Sequence, residues 1–120
     1  MFFVFFSIFV IMRKIVTYGG YFESFMESLT QSQQKKIKQL LLVIKTVDRI
    51  PAKFIGTIAA GLFELRAEFE SNTFRVFFIF DKGNVIVLLN GFQKKSPRTP
   101  QKEVEKALRI KEEYAYATCK

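Results

Sequence analysis

Six cations in this chain have the type and spacing to hold a phosphodiester: Lys53, Arg66, Arg75, Lys94, Lys95 and Arg98. Arg66 and Arg75 interrupt two apolar, β-rich runs, and Lys94–Lys95 close a third. The stretch from Leu62 to Pro100 holds all of them except Lys53. Strand residues alternate between faces, so Arg66 shares a face with Glu64, Glu68 and Glu70, opposite Phe63, Leu65, Ala67 and Phe69. A sheet apolar on one side and arginine-bearing on the other suits a polyanion, and nucleic acid is the leading class. The structural alternatives are specific. Arg66 pairs with Glu64 or Glu68, Arg75 pairs with Glu68, and Lys53 serves as a solvated loop lysine.

The chain has no histidine and one cysteine, Cys119. Histidine general acid–base catalysis, Ser-His-Asp and Cys-His nucleophiles and most zinc sites are thereby excluded. No phosphate loop, metal cluster or paired-carboxylate site is present in the pattern, so no metal and no cofactor is expected. A lone cysteine allows no intrachain disulfide and fits a reducing, cytoplasmic compartment.

The elements that must position these cations read as follows. Residues 13–18 form a strand broken by Gly19-Gly20. Phe22, Phe25, Met26 and Leu29 recur at helical spacing. Thr30 and Gln33 have capping-box spacing and open a second helix over about 31–48, whose buried stripe is Ile37, Leu40, Leu41, Ile44 and Val47. Its cations Lys38, Lys45 and Arg49 lie elsewhere on the surface, and Pro51 ends the helix. Residues 51–61 read as a connection. A three-stranded meander follows, with turns at Ser71-Asn72 and Lys82-Gly83. Two-residue loops at both turns place Glu68 opposite Arg75, Arg75 opposite Asn90, and Arg66 opposite Phe77 and Leu88. The core face is then Phe63, Leu65, Ala67, Phe69, Phe74, Val76, Phe78, Phe80, Val85, Val87 and Leu89. Gly91 bends the chain out of the third meander strand. Thr99 caps a last helix that begins at Pro100, runs to about Ala117 and packs through Val104, Ala107, Leu108 and Tyr114. The fold class is α+β, a mainly antiparallel sheet with an N-terminal strand, a helix hairpin and a C-terminal helix, the helices on one face.

At 120 residues, 49% hydrophobic and 16% aromatic, the chain is long enough for one packed core. Its net charge of +8 is uneven. Residues 31–60 carry six basic side chains against one acidic, and residues 91–120 carry eight against four. Both helical flanks are therefore basic.

Residues 1–11 form an apolar extension set apart from a single domain over 12–120. The run MFFVFFSIFVIM lacks a basic leader and a small-residue cleavage site, and it is shorter than the roughly 20 residues a bilayer span needs. It reads as a strand extension, as translation begun upstream of a start at Met12, or as a membrane-surface anchor. The resemblance described next favours the start at Met12, and no stable membrane partner is expected.

The element order, with Gly61-Leu62-Phe63-Glu64-Leu65-Arg66, Thr73-Phe74-Arg75-Val76-Phe77-Phe78 and Asn90-Gly91-Phe92-Gln93-Lys94-Lys95 followed by Thr99-Pro100 and Glu103, resembles the RelE/ParE toxin superfamily. The wording is similar to its phage-derived HigB-like branch, from about Met12 to Tyr114. The resemblance implies a type II toxin that cuts messenger RNA on the ribosome and is silenced by a helix-turn-helix, HigA-like antitoxin. It implies catalytic cations at Arg66 and at Lys94 or Lys95, with Lys53 a further match among the basic residues before the meander; Lys53, Arg75 and Arg98 are the expected RNA contacts. HigB members use histidines and this chain has none, which leaves the general base open. Two rival readings fit the same charge: a ParE-like inhibitor of DNA gyrase without nuclease activity, and a non-catalytic basic domain at a membrane surface.

Overall fold

The computed structural model describes residues 13–119. The expectations for the extension 1–11 lie outside the described residues. The chain runs β1 (Lys14–Thr17), α1 (Tyr21–Glu27), α2 (Gln31–Thr46), a 3-10 turn (Ala52–Phe54), β2 (Ile55–Ala59), β3 (Leu62–Phe69), β4 (Asn72–Phe80), β5 (Val85–Lys94) and α3 (Gln101–Thr118). The fold is α+β, as expected, with one strand more than the sequence reading held. Residues 55–59 pair antiparallel with β3 and extend the meander to four strands. The sheet order is β1-β5-β4-β3-β2, and β1 joins β5 in parallel.

Local chemistry explains the helix ends. The Thr30 hydroxyl accepts from the Gln33 N–H at 3.2 Å, and the Gln33 side chain accepts from the Thr30 N–H at 3.0 Å, the expected capping box. At the other end of α2, Arg13 supplies donors for carbonyls that have no partner within the helix. Its guanidinium donates to the carbonyls of Ile44, Val47 and Asp48 at 2.8, 2.6 and 2.8 Å, and its backbone N–H donates to Lys45 O at 2.9 Å. A positive charge there also suits the helix dipole. The strand β1 is thus tied to α2 before it reaches β5. In α3, Pro100 rather than Thr99 is the cap residue, and its carbonyl accepts from the N–H groups of Glu103 and Val104.

Both turns differ from the expected register. Phe69 pairs with Asn72, so Glu70 and Ser71 are the central residues, both left-handed at φ 48 and 69. That displacement leaves each side chain on its expected face but changes its neighbour: Arg66 pairs with Arg75, and Glu68 with Thr73. The second loop has three central residues, Lys82, Gly83 and Asn84, closed by Asp81 N–H donating to Val85 O at 2.8 Å. One extra residue reverses the faces of β5. Ile86 and Leu88, not Val87 and Leu89, therefore join Phe78. A bulge then sets Leu89 and Asn90 against Phe77 and restores the alternation, so that Arg75 faces Phe92 rather than Asn90.

The outcome is a sheet covered on both sides. Helices α1 and α2 bury Phe22, Phe25, Met26, Ile37, Leu40 and Ile44 against Leu65, Phe74, Val76, Phe78, Ile86 and Leu88. Helix α3 buries Ala107 and Ile110 on the other face, against Leu62, Phe77, Ile79, Val87, Leu89 and Phe92. This corrects the expectation that all helices share one face. Ile110 takes the buried place expected of Leu108, which is exposed. Phe74, Phe77 and Phe78 are fully buried, each contributing about 1.5–3 kcal/mol. Gly91 is not a bend at the strand's exit but a mid-strand seat for Phe25, whose ring would lie 2.5 Å from a Cβ there.

The Tyr114 hydroxyl donates to the Asp81 carboxylate and pins α3 to the loop between β4 and β5. That bond, followed by the Lys82 N–H, holds the Asp81 carboxyl below its ordinary range, and the same bond raises the Tyr114 phenol. A depressed folded-state carboxyl contributes stability above its unfolded value and loses it as pH falls through the folded one. A raised phenol contributes below its unfolded value and loses it at alkaline pH. Tyr114→Phe should therefore lower Tm at neutral pH, and the difference from wild type should shrink toward both pH extremes. Thermal melts of both proteins across pH check this; a difference that grows on acidification would contradict it.

Candidate cation site

Strand β2 pairs with β3 only as far as Leu65, so β3 runs on from Arg66 with no strand of the described residues on that edge. At that open edge a cavity of about 700 Å³ is lined by Lys36, Gln39, Leu40 and Val43 of α2, Lys53 and Phe54 of the 3-10 turn, Arg66, Ala67 and Glu68 of β3, and Arg75. Its walls are apolar at Leu40, Val43 and Phe54 and basic at Lys36, Lys53 and Arg66. A second recess of about 540 Å³ holds Lys94 and Lys95 with Thr73, Gln93, Ser96 and Pro97. Glu68 and Arg75 line both, so the two recesses form one continuous surface.

Behind this surface lies a buried carboxylate. Glu64 is 3% exposed, and its Oε2 accepts from Arg66 Nε at 3.2 Å and lies 3.5 Å from Arg75 Nε. Arg75 is 9% exposed and donates through Nη1 to its neighbour's carbonyl, Phe74 O, at 3.2 Å. Its Nε is close to Glu64 but poorly aligned, leaving that nitrogen and Glu64 Oε1 without hydrogen-bond partners among the described residues. Arg66 keeps 41% of its side chain exposed, and its Nη groups have no acceptor among the described residues. Two arginines sharing one buried carboxylate leave a net positive charge, and Arg66 carries it to the solvent side.

The expected site residues divide on this geometry. Arg66, Lys53 and Arg75 line the cavity; Lys94 and Lys95 lie in the adjoining recess, where β5 ends. Arg75 is largely buried, and its partner is Glu64, not Glu68, because the first turn is centred on Glu70-Ser71. Lys53 is exposed, its ammonium 5.0 Å from the Phe54 ring centroid. Arg98 is exposed in the loop before α3, where its carbonyl accepts from Ser96 Oγ, and it lines neither recess. One participant was missed. Lys36 precedes Ile37 and lies four residues before Leu40, so the helical period already placed it beside the buried stripe. The Arg66–Glu64 pair is one of the two pairings expected for Arg66, although nothing in the alternating run marked Glu64 as the buried member.

A model described as "Phage derived protein Gp49-like (DUF891)" matches residues 24–112. The chain belongs to the phage-derived Gp49-like family. No curated protein matches it. Among solved structures, the archaeal RelE–RelB complex from Pyrococcus horikoshii OT3 superposes with a TM-score of 0.52 at 16% identity, covering 73% of this chain and 99% of that one. At that identity the likeness is one of fold. This Gp49-like chain thus has the RelE-like architecture that its motifs resemble. No helix among the described residues is long and apolar enough to cross a membrane.

The ion pairs separate a stability role from a surface role. Arg75→Ala should destabilise by about 2–4 kcal/mol, because it removes one of two cations from a buried carboxylate. Arg66→Ala should cost less than about 1 kcal/mol, its side chain being half in solvent. Replacing charge and counter-charge together, Glu64→Leu with Arg75→Met, should recover part of the Arg75→Ala loss. Denaturant unfolding of the four proteins checks the order.

Proposed function

We propose that this chain is the toxin of a type II toxin–antitoxin pair and cuts messenger RNA in the ribosomal decoding site. The observation that carries the proposal is Arg66, held half-exposed by Glu64 in a cavity it shares with Lys36 and Lys53 and that adjoins the lysine recess. Family and fold support the reading: the chain is Gp49-like, and the RelE fold it shares was solved in complex with RelB. A helix-turn-helix antitoxin is the proposed silencing partner, and the cytoplasm the place of action.

The chemistry follows from what RNA carries. Its 2′-hydroxyl is the nucleophile, so no metal is needed to generate one. The 2′-oxygen forms a bond to phosphorus, the bond from phosphorus to the 5′-oxygen breaks, and a 2′,3′-cyclic phosphate remains. One proton leaves the 2′-hydroxyl and one must reach the departing 5′-oxygen. Arg66 clamps the non-bridging oxygens and meets the charge that grows on them. Lys94 and Lys95 stabilise the same phosphorane from the neighbouring recess and exchange the two protons. Lys36 and Lys53 hold flanking phosphates. With no histidine available, in-line geometry is the scarce resource, and the ribosome-bound message supplies it.

Three outcomes are expected. Induction without antitoxin should stop protein synthesis before DNA synthesis, as read by pulse labelling. Purified protein should cleave ribosome-bound message much faster than naked RNA. Arg66→Ala, Lys94→Ala and Lys95→Ala should each slow that cleavage ten- to a hundredfold, the value of about 1.5–3 kcal/mol for a charge-assisted contact made in the transition state. Early failure of DNA synthesis with translation intact would support gyrase inhibition instead.

A further inference from the structure

Arg66 lies in a slot that two neighbours build. Gly56 of β2 stands directly opposite Glu64 in the register, so it flanks the Arg66 side chain on the same face. A Cβ placed on Gly56 would meet Arg66 Nη2 at 2.3 Å, Cζ at 2.8 Å and Nε at 3.1 Å. The guanidinium therefore lies against the bare backbone of β2. Gly56 does not have the positive φ that would demand glycine for backbone reasons. Its missing side chain is a matter of space. On the other flank, Glu64 Oε2 accepts from Nε at 3.2 Å, and Glu64 is itself anchored by burial and by Arg75.

We infer that Gly56 and Glu64 are positioning residues that hold Arg66 with its Nη donors free for a phosphodiester oxygen. The inference rests on the nuclease reading for its ligand and on geometry alone for the slot. An arginine on an open edge would otherwise populate many rotamers and lose entropy on binding. Fixing Nε on a carboxylate and one side of the plane on a strand backbone removes that loss beforehand. It also explains why arginine stands here. A lysine has a single nitrogen, which cannot both hold Glu64 and fork onto a phosphate.

The test is Gly56→Ala, a change the strand backbone tolerates and that can be met only by moving the Arg66 guanidinium. Two readouts are taken on the full chain. The first is the Nε–H signal of Arg66 in ¹⁵N-resolved NMR, assigned by its loss in Arg66→Ala. It should be sharp and slowly exchanging in wild type and should broaden or move to the solvent position in Gly56→Ala. The second is cleavage of ribosome-bound message. Gly56→Ala should lower kcat about tenfold or more with KM within about twofold, and Tm should stay near wild type. In an Arg66→Ala background the same change should cost nothing further, since Gly56 acts only through Arg66. Glu64→Gln should release the same NMR signal.

An unchanged Arg66 signal and unchanged kcat in Gly56→Ala would overturn the inference. So would a loss of activity that persists undiminished in the Arg66→Ala background, which would make Gly56 a structural residue. Should wild type cleave no RNA, the nuclease reading fails and the NMR comparison alone decides the slot: loss of the signal in Gly56→Ala upholds it, and persistence overturns it.

Discussion

Strand β4 is buried from Phe74 to Ile79, with α1 and α2 on one face and α3 on the other. A strand so placed can carry a charge only if an opposite charge is buried with it, because desolvating an unpaired ion costs several kcal/mol. Arg75 is that charge and Glu64 is its answer. Everything at the cation site depends on this pairing. Glu64 must be buried to meet Arg75, and once buried it offers a fixed carboxylate to the next cation along, Arg66. The packing demand of the sheet and the order of the surface arginine are one arrangement.

Termination of β2 pairing at Leu65 supplies the other half of the site. Had β2 continued along β3, its residues would occupy the edge where the cavity opens, and Arg66 would be enclosed. Instead the chain enters β2 from the 3-10 turn, which delivers Lys53 and Phe54 to the same opening. Helix α2 closes the third side with Lys36, Leu40 and Val43. Of the basic residues over 31–60, Lys36 and Lys53 are thus placed beside the arginine.

What the sequence made legible follows from which signals are local. The capping box at Thr30 and Gln33, the stripe of Ile37, Leu40 and Ile44, and the alternation in Leu62–Phe69 each need only near neighbours, and each was readable. Arg66 was found for that reason: Glu64 and Arg66 share a face whatever the register. The partner of Arg75 was not readable, because it depends on where a turn is centred. Ser71-Asn72 has better turn chemistry than Glu70-Ser71, yet the structure uses the latter and pairs Phe74 with Ala67 and Val76 with Leu65. Strand β2 escaped notice because Gly56 and Ala59 weaken its β-signal, and pairing with β3 overrides propensity. The helices' two-sided arrangement was not a local signal: strand alternation turns Phe77 and Ile79 away from Phe74 and Val76, but that α3 covers them is set by where the last helix packs.

The turn at Glu70 and Ser71 carries one more consequence. Two left-handed residues with side chains cost about 1–2 kcal/mol apiece relative to glycine. Asparagine and glycine at these positions would relieve the cost without altering the strands. The protein therefore holds an unspent reserve of stability at a solvent-facing tip beside its lysines. A lineage carrying this fold can draw on that reserve, absorbing destabilising experiments around the cations through a compensating change in the turn.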